Sequence, residues 1–390
     1  MHPLSACSQG AVCGQGQSAP GPDDERGAFL YQPDTVLDLQ LFLDATALAE
    51  LPDGPGEQAD DVHATLSFED QQWSAGLRLK GASSFRQISK KAAFKIDFGE
   101  WDPDGSFYGV RRLTLNNMVQ DESMLSENLA YWLHAAIGGV APRQGYACVR
   151  LNGDSYGLYS VVETMDEQFV ERQFEDPSGN LYEGGKGADI RMGRAELFDI
   201  EEQGVPKGRG DLEALIDAME TYTPETWLEA LDRHFVLSEL LGMWAVELFV
   251  GNIDSYITRS NNFLLYHQPS TTTWTMIPWG EDQAFTEALD PLDPYDPDVP
   301  AKHGQLYEGC LASTACVDAL SWRIEELVEH VESESLVEHA VAQRDLISDL
   351  SRSDPLSGAG RWETRGAQND VLRFLERRSV QILEQLEEPR

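Results

Sequence analysis

Residues 235–266 read FVLSELLGMWAVELFVGNIDSYITRSNNFLLY. The first part, Phe235 to Val250, is the longest apolar stretch of the chain and carries Glu239 and Glu247. It is too short to cross a bilayer and reads as a helix buried in a core. Gly251 ends it, a polar loop holding Asp254, Asn261 and Asn262 follows, and Asn262 to His267 runs on as a strand. An acid and amides between a buried helix and a strand sit where a rigid scaffold places catalytic groups. Asp254 can orient or deprotonate a hydroxyl, and an asparagine can hold a metal. The same residues can instead be Asx turns that shape the loop.

Downstream, Trp274-Thr-Met-Ile-Pro-Trp-Gly-Glu-Asp-Gln-Ala-Phe285 is a short apolar strand that delivers Glu281 and Asp282 to its end. Hard oxygen donors at a strand end suit Mg²⁺ or Mn²⁺. The rest of the second half reads as helices at residues 166–174, 212–222, 224–232, 317–331, 335–350 and 362–386. Upstream the pattern is β: strands at 36–43, 64–68, 77–81 and 93–98, then a hairpin of 146–151 and 158–163 about Asn152-Gly153-Asp154. One helix, 121–137, opens on Asp and Ser and closes at Gly138-Gly139. The expectation is an α+β chain, β-rich over about 29–165 and helical over about 166–390.

Arg78-Leu-Lys80-Gly-Ala-Ser83-Ser84 is followed by Lys90, Lys91 and Lys95. A Gly/Ser turn offers backbone N–H groups to an anion, and a lysine on the next strand can reach phosphate oxygens; a surface hairpin with solvated lysines is the other reading. Glu163 closes the 146–163 hairpin and can be an ordinary strand-terminal carboxylate. Each segment is weak singly. Their order (lysine strand, helix, hairpin, helices, Asp…Asn loop, strand ending in acid) repeats the order of parts in protein kinases.

Taken together these segments resemble the CotH family of secreted atypical kinases. The resemblance runs over roughly residues 36–350: Arg78-x-Lys80-Gly-x-Ser83-Ser84, Asp121-Glu-Ser-Met-Leu125, Asn152-Gly-x-x-x-Gly-Leu-Tyr-x-x-x-Glu163, the Asp254 loop with Asn262, and Ile277-Pro-Trp-Gly-Glu-Asp282. It implies an atypical protein-kinase-like two-lobed fold, with a β-rich N-lobe and a helical C-lobe, and ATP with Mg²⁺ or Mn²⁺. Lys95 would pair the nucleotide phosphates, with Lys91 in reserve and Glu127 holding the lysine. Lys80, Ser83, Ser84 and Glu163 complete the nucleotide-contacting set, the segment after Glu163 meeting the adenine. Asp254 would act as base or position the acceptor hydroxyl, and Asn262 with Asp282 would hold the metal. Two departures stand out. Many members carry Trp-Asp-x-Asp where this chain has Trp279-Gly280-Glu281-Asp282, so that Asp282 or Glu281 must serve alone. Seven residues separate Asp254 from Asn262, against four in a protein-kinase catalytic loop.

The chain has 390 residues, 41% of them hydrophobic, and a formal net charge of -38. That field disfavours nucleic acid and anionic lipid. Residues 1–28, rich in Gly, Ser, Gln and Pro, read as a tether. Leu4-Ser-Ala-Cys7 matches a lipoprotein cleavage box, making Cys7 a possible lipid anchor, the only membrane link expected. Of the other cysteines, Cys310 and Cys316 can close a small disulfide or remain thiols, and Cys148 reads as a core residue. The acidic loop with Asp290, Asp293, Asp296 and Asp298 lacks the glycine and spacing of an EF-hand and reads as solvated. The leading expectation is transfer of phosphate from ATP to a Ser/Thr hydroxyl of a protein outside the cytoplasm, at the surface or in the periplasm. The rivals are a surface or adhesion protein that has kept the fold and lost turnover, and a metal-dependent hydrolase.

Overall fold

The computed structural model describes residues 13, 14, 17, 19, 20, 26–56, 60–293, 303–333 and 335–387. The chain divides into two compact units. The first comprises Met1–Leu125, Arg143–Thr164 and Glu338–Asn369; the second comprises Ser126–Pro142, Met165–Val337 and Asp370–Arg390.

The first unit is a closed barrel. Its strands are β1 (Val36–Phe42), β2 (Val62–Phe68), β3 (Gln71–Lys80), β4 (Ala93–Asp97), β5 (Arg112–Asn116), β6 (Gln144–Leu151) and β7 (Asp154–Val162), in the order β1-β2-β3-β4-β5-β7-β6. All neighbours are antiparallel except β1 and β6, which close the ring in parallel. Period-two alternation sends one face of each strand inward. Leu39, Leu41, Ala64, Leu66, Leu77, Phe94, Ile96, Leu113, Leu115, Val149 and Val161 form one buried cluster. The β6–β7 turn falls at Asn152 and Gly153, both with positive φ, as a two-residue hairpin turn requires. A short helix, α1 (Ala45–Glu50), is capped by Asp44, which accepts from the Ala47 N–H at 2.8 Å.

The second unit is mainly helical around a four-stranded antiparallel sheet. The helices are α2 (Ser126–Ala136), α3 (Glu167–Gln173), α4 (Gly210–Met219), α5 (Trp227–His234), α6 (Leu237–Val250), α7 (Tyr256–Arg259), α8 (Gln305–Leu311) and α9 (Thr314–Ser333). The strands β8 (Leu181–Gly184), β9 (Phe198–Glu202), β10 (Phe263–Gln268) and β11 (Thr273–Pro278) lie in the order β11-β10-β8-β9. The helix α6 is the expected core helix: every residue from Leu240 to Val250 is buried, and it packs on α2, α9 and β11. Gly251 ends it in the left-handed region, where an added Cβ would meet the Glu287 carbonyl oxygen at 1.8 Å. Two further helices, α10 (Leu336–Arg352) and α11 (Arg361–Glu387), close the chain. From α11, the buried Arg378 donates to the carbonyls of Phe249 at 2.9 Å and of Leu248 and Leu289 at 2.7 Å. Burial lowers its guanidinium to about 10.

The α+β reading holds, with several corrections. The chain does not divide at 165/166. The helix α2 packs on α6 and belongs to the helical unit. Residues 338–369 return to the barrel, where Gln343 donates to the Pro33 carbonyl at 2.8 Å. The helix expected over 121–137, α2, starts at Ser126 rather than Asp121, because Asp121 Oδ1 accepts from the Ser123 N–H and hydroxyl, which closes a turn instead. Cys148 is not a lone core thiol; it is bonded to Cys13. The described residues near Cys13 are accordingly held on β1: Gly14 N–H donates to Val36 O at 2.9 Å, and Gln17 Oε1 accepts from the Asp38 N–H at 2.8 Å. Cys310 and Cys316 are joined between α8 and α9. Cys7, Asp296 and Asp298 lie outside the described residues. Among the described residues no helix is long and apolar enough to cross a membrane.

Candidate active site

In the barrel unit, Phe94 and Ile96 face the core, so Lys95 and Asp97 project from the opposite face of β4. Arg78 on β3 lies directly across from Lys95, and Thr114 on β5 is its other cross-strand neighbour. Like charges directly opposite repel. Arg78 lies 3.9 Å from Asp61, Arg112 is paired with Asp97 at 3.1 Å, and Lys80 donates to Asn116. No hydrogen bond or ion pair engages Lys95 among the described residues. The arginines on this face are thus matched by Asp61 and Asp97, and Lys95 is the cation there with no such partner among the described residues.

The loop from Gly81 carries Ser83 and Ser84. Ser83 donates to Gln120 at 3.1 Å. Asn117 Nδ2 pins the loop at both ends, donating to the Ser84 carbonyl at 3.0 Å and the Lys91 carbonyl at 2.7 Å. Lys91 is not available to a phosphate. Its side chain is 2% exposed, and its ammonium sits 2.7 Å from Asp354. Burial pulls its pKa down and Asp354 opposes that shift. Glu163 is likewise engaged: its carboxylate accepts from the Arg143 guanidinium at 2.8 Å and from the Arg143 N–H at 3.1 Å.

In the helical unit the structure brings together Asp254 and Asn262. Asn262 Nδ2 donates to the Asp254 carbonyl at 2.9 Å and to its Oδ2 at 3.1 Å. Gln283 Nε2 donates to the same Oδ2 at 3.1 Å, and Arg259 lies 3.7 Å from Oδ1. Asn252 Oδ1 accepts from the Asp254 N–H at 3.0 Å. With Nδ2 directed at two acceptors, Asn262 Oδ1 is its remaining hard oxygen donor. The longer loop is accommodated by α7 together with left-handed backbone at Ser260 and Asn262. Asp282 is half-buried just after the end of β11.

Glu281 does not join that group. It is fully buried. Its Oε2 accepts from Asn252 at 3.0 Å and its Oε1 is 3.6 Å from His134 Nε2. Glu127, on the first turn of α2, is also buried. Glu127, Glu281 and Asp282, after burial itself, raise the pKa of Tyr131, whose hydroxyl accepts from the Gly280 N–H at 3.1 Å.

The CotH kinase protein family profile matches residues 77–381. The chain belongs to the CotH kinase protein family. The inner spore coat protein H of Bacillus subtilis (strain 168) is 24% identical over 259 residues, spanning 63% of this chain and 68% of the relative. The Helicobacter pylori proinflammatory kinase CtkA aligns over 86% of this chain and 93% of its own, at 9% identity and a TM-score of 0.37.

Sequence reading of this CotH-family chain missed several of the residues that shape its sites. Gln283 and Arg259 hold Asp254 but lie in segments quoted only for their acids and amides. Glu247 was visible as a charge inside an apolar helix, the one signal that pointed to a buried polar cluster. Asp354, 263 positions from Lys91, carries no local signal at all.

Proposed function

We propose that this CotH-family chain transfers the γ-phosphate of ATP to a protein Ser/Thr hydroxyl in an extracytoplasmic setting. The observation that carries the reading is the Asp254 carboxylate, held by Asn262, Gln283 and Arg259 on a loop close in sequence to Asp282. A carboxylate restrained in this way can orient an acceptor hydroxyl and take its proton as the oxygen attacks phosphorus. The bond from the γ-phosphorus to the bridging oxygen then breaks and ADP leaves. Asn262 Oδ1 and Asp282 are hard oxygen donors of the kind Mg²⁺ or Mn²⁺ takes, so the donor set fits. When bound, that ion neutralises phosphate charge. In the barrel unit, Lys95 and Lys80 are the groups that this reading assigns to phosphate charge. Lys91 and Glu163 are left to structural roles, and Glu281 to a different cluster. Two disulfides among the described residues fit an oxidising compartment, as does the spore-coat relative.

A second reading has one specific observation behind it. Gly280 stands where the family resemblance leads one to expect an acid, which favours a member that has kept the fold for surface binding. Transfer from labelled ATP with Mn²⁺ or Mg²⁺ separates the two. Asp254→Ala, Asp282→Ala and Lys95→Ala are each expected to reduce transfer at least about 100-fold. Metal-dependent ATP binding without transfer by wild type would favour the binding-protein reading. Absence of both would end the phosphotransferase reading.

A further inference from the structure

Within the helical unit three titratable side chains converge in the interior: His134 from α2, Glu247 from α6 and Glu281 from the turn after β11. All three are buried, at 1%, 1% and 0% exposure. One ligand atom from each lies within 4.8 Å of the others. The cluster leaves an unusual set of orphans. His134 Nε2, both carboxylate oxygens of Glu247 and Oε1 of Glu281 have no hydrogen-bond partner. Buried polar atoms are rarely left so, and two buried carboxylates beside a single imidazole, His134 lying 3.6 Å from Glu281, are disfavoured unless they share a proton or a cation.

We infer that His134, Glu247 and Glu281 form a second divalent-cation site, taking Zn²⁺ or Mn²⁺, in the interior of the helical unit. One such ion resolves every orphan together. Two carboxylates and a neutral imidazole around a divalent cation sum to zero charge, the form in which such a group is best buried. An imidazole in the set favours first-row transition ions and zinc over Mg²⁺ or Ca²⁺. Donors held at about 2.0–2.2 Å from one ion lie roughly 3–3.4 Å apart, so atoms now up to 4.8 Å apart draw together by an ångström or so when the ion binds. Asn252 Nδ2 already fixes the Glu281 carboxylate through Oε2, leaving Oε1 to the ion. The same Asn252 holds the Asp254 N–H through Oδ1. The ion would thus tie α2, α6 and the Glu281 turn together beneath the Asp254 loop, as a positioning site. It does not depend on the chain being a phosphotransferase.

The test is metal analysis of the purified full-length chain, dialysed against ZnCl₂ or MnCl₂ and passed through gel filtration without nucleotide. Wild type should retain about one equivalent, and a strong chelator should lower its Tm in a way that re-addition reverses. His134→Ala and Glu247→Gln should lose that equivalent, while Asp282→Ala should keep it. Should the His134 and Glu247 variants fail to fold, X-ray absorption on the wild-type protein should show one imidazole nitrogen in an otherwise oxygen shell. Wild type that retains no ion and whose Tm ignores chelator would overturn the site. So would retention unaffected by Glu247→Gln, loss in Asp282→Ala, or an all-oxygen shell; a solely proton-shared cluster would then remain.

Discussion

An ideal Cβ at Gly280 would come 2.8 Å from Cγ of Asn262, the residue whose amide holds Asp254. Gly280 also sits at φ 63° and ψ 52°, a left-handed conformation that side chains resist. Placing an acid at position 280 is therefore not a simple gain of a ligand. Gly280→Asp is expected to displace Asn262 and loosen Asp254, with a stability cost on the order of 1–2 kcal/mol. ATP binding with Mn²⁺, read by calorimetry, should weaken rather than tighten. Tighter binding and faster transfer in the variant would show that the loop yields freely.

The buried pair of Lys91 and Asp354 predicts a strongly asymmetric mutational response. Asp354 also accepts from the N–H groups of Leu158 and Leu356, both at 2.9 Å. Lys91→Met strands a buried carboxylate and should cost about 3 kcal/mol in urea unfolding. Asp354→Ala should cost more, because it frees two backbone donors as well as the ammonium. Near-neutral behaviour of either variant would mean that the pair is solvated in solution.

Burial holds the imidazole of His339 well down, at about 4. In the unfolded chain it takes a proton near pH 6.5. Its contribution is therefore fully present above about pH 6.5 and is lost progressively as pH falls toward about 4. Allowing for its partial solvent access, the loss should be on the order of 2 kcal/mol. Urea midpoints of wild type and His339→Gln across that window should converge as the solution is acidified. Parallel curves would place His339 in water.

The two disulfides should not contribute equally. Chain-entropy reasoning gives about 5 kcal/mol for a closure over 135 residues and about 2 kcal/mol for one over 6. Cys148→Ala should accordingly lower Tm more than Cys316→Ala, and reductant should bring wild type toward the double variant. Calorimetry in oxidising and reducing buffer decides it.

What could be read from sequence was what repeats locally. Strict alternation at Phe94, Ile96 and Phe98 marked β4, and Asn152-Gly153 marked the hairpin, because period and turn chemistry are carried by neighbours. The short strands β5, β8 and β9 went unread. Arg112–Asn116 and Leu181–Gly184 are too brief for a period to show, and their pairing partners are distant in sequence. Asp254, Asn262 and Asp282 were picked out by type and setting. Which acids group together was not legible, since Glu281 and Asp282 are adjacent yet Glu281 turns to a cluster of its own. Lys91 shows the same limit: nothing around it announces that Asp354 would bury its charge.

The barrel closes when β1 meets β6, Val36 beside Tyr146, yet it is finished only by Gln343 and Asp354 near the other end of the chain. A polypeptide emerging N-terminus first, from a ribosome or a translocation pore, has all seven barrel strands out while Lys91 still lacks its counter-ion. The burial of Lys91 must wait for almost the whole second unit to be made. The first unit to begin is thus completed only after most of the second has been made, and a nascent chain stopped short of residue 354 carries a barrel that cannot lock.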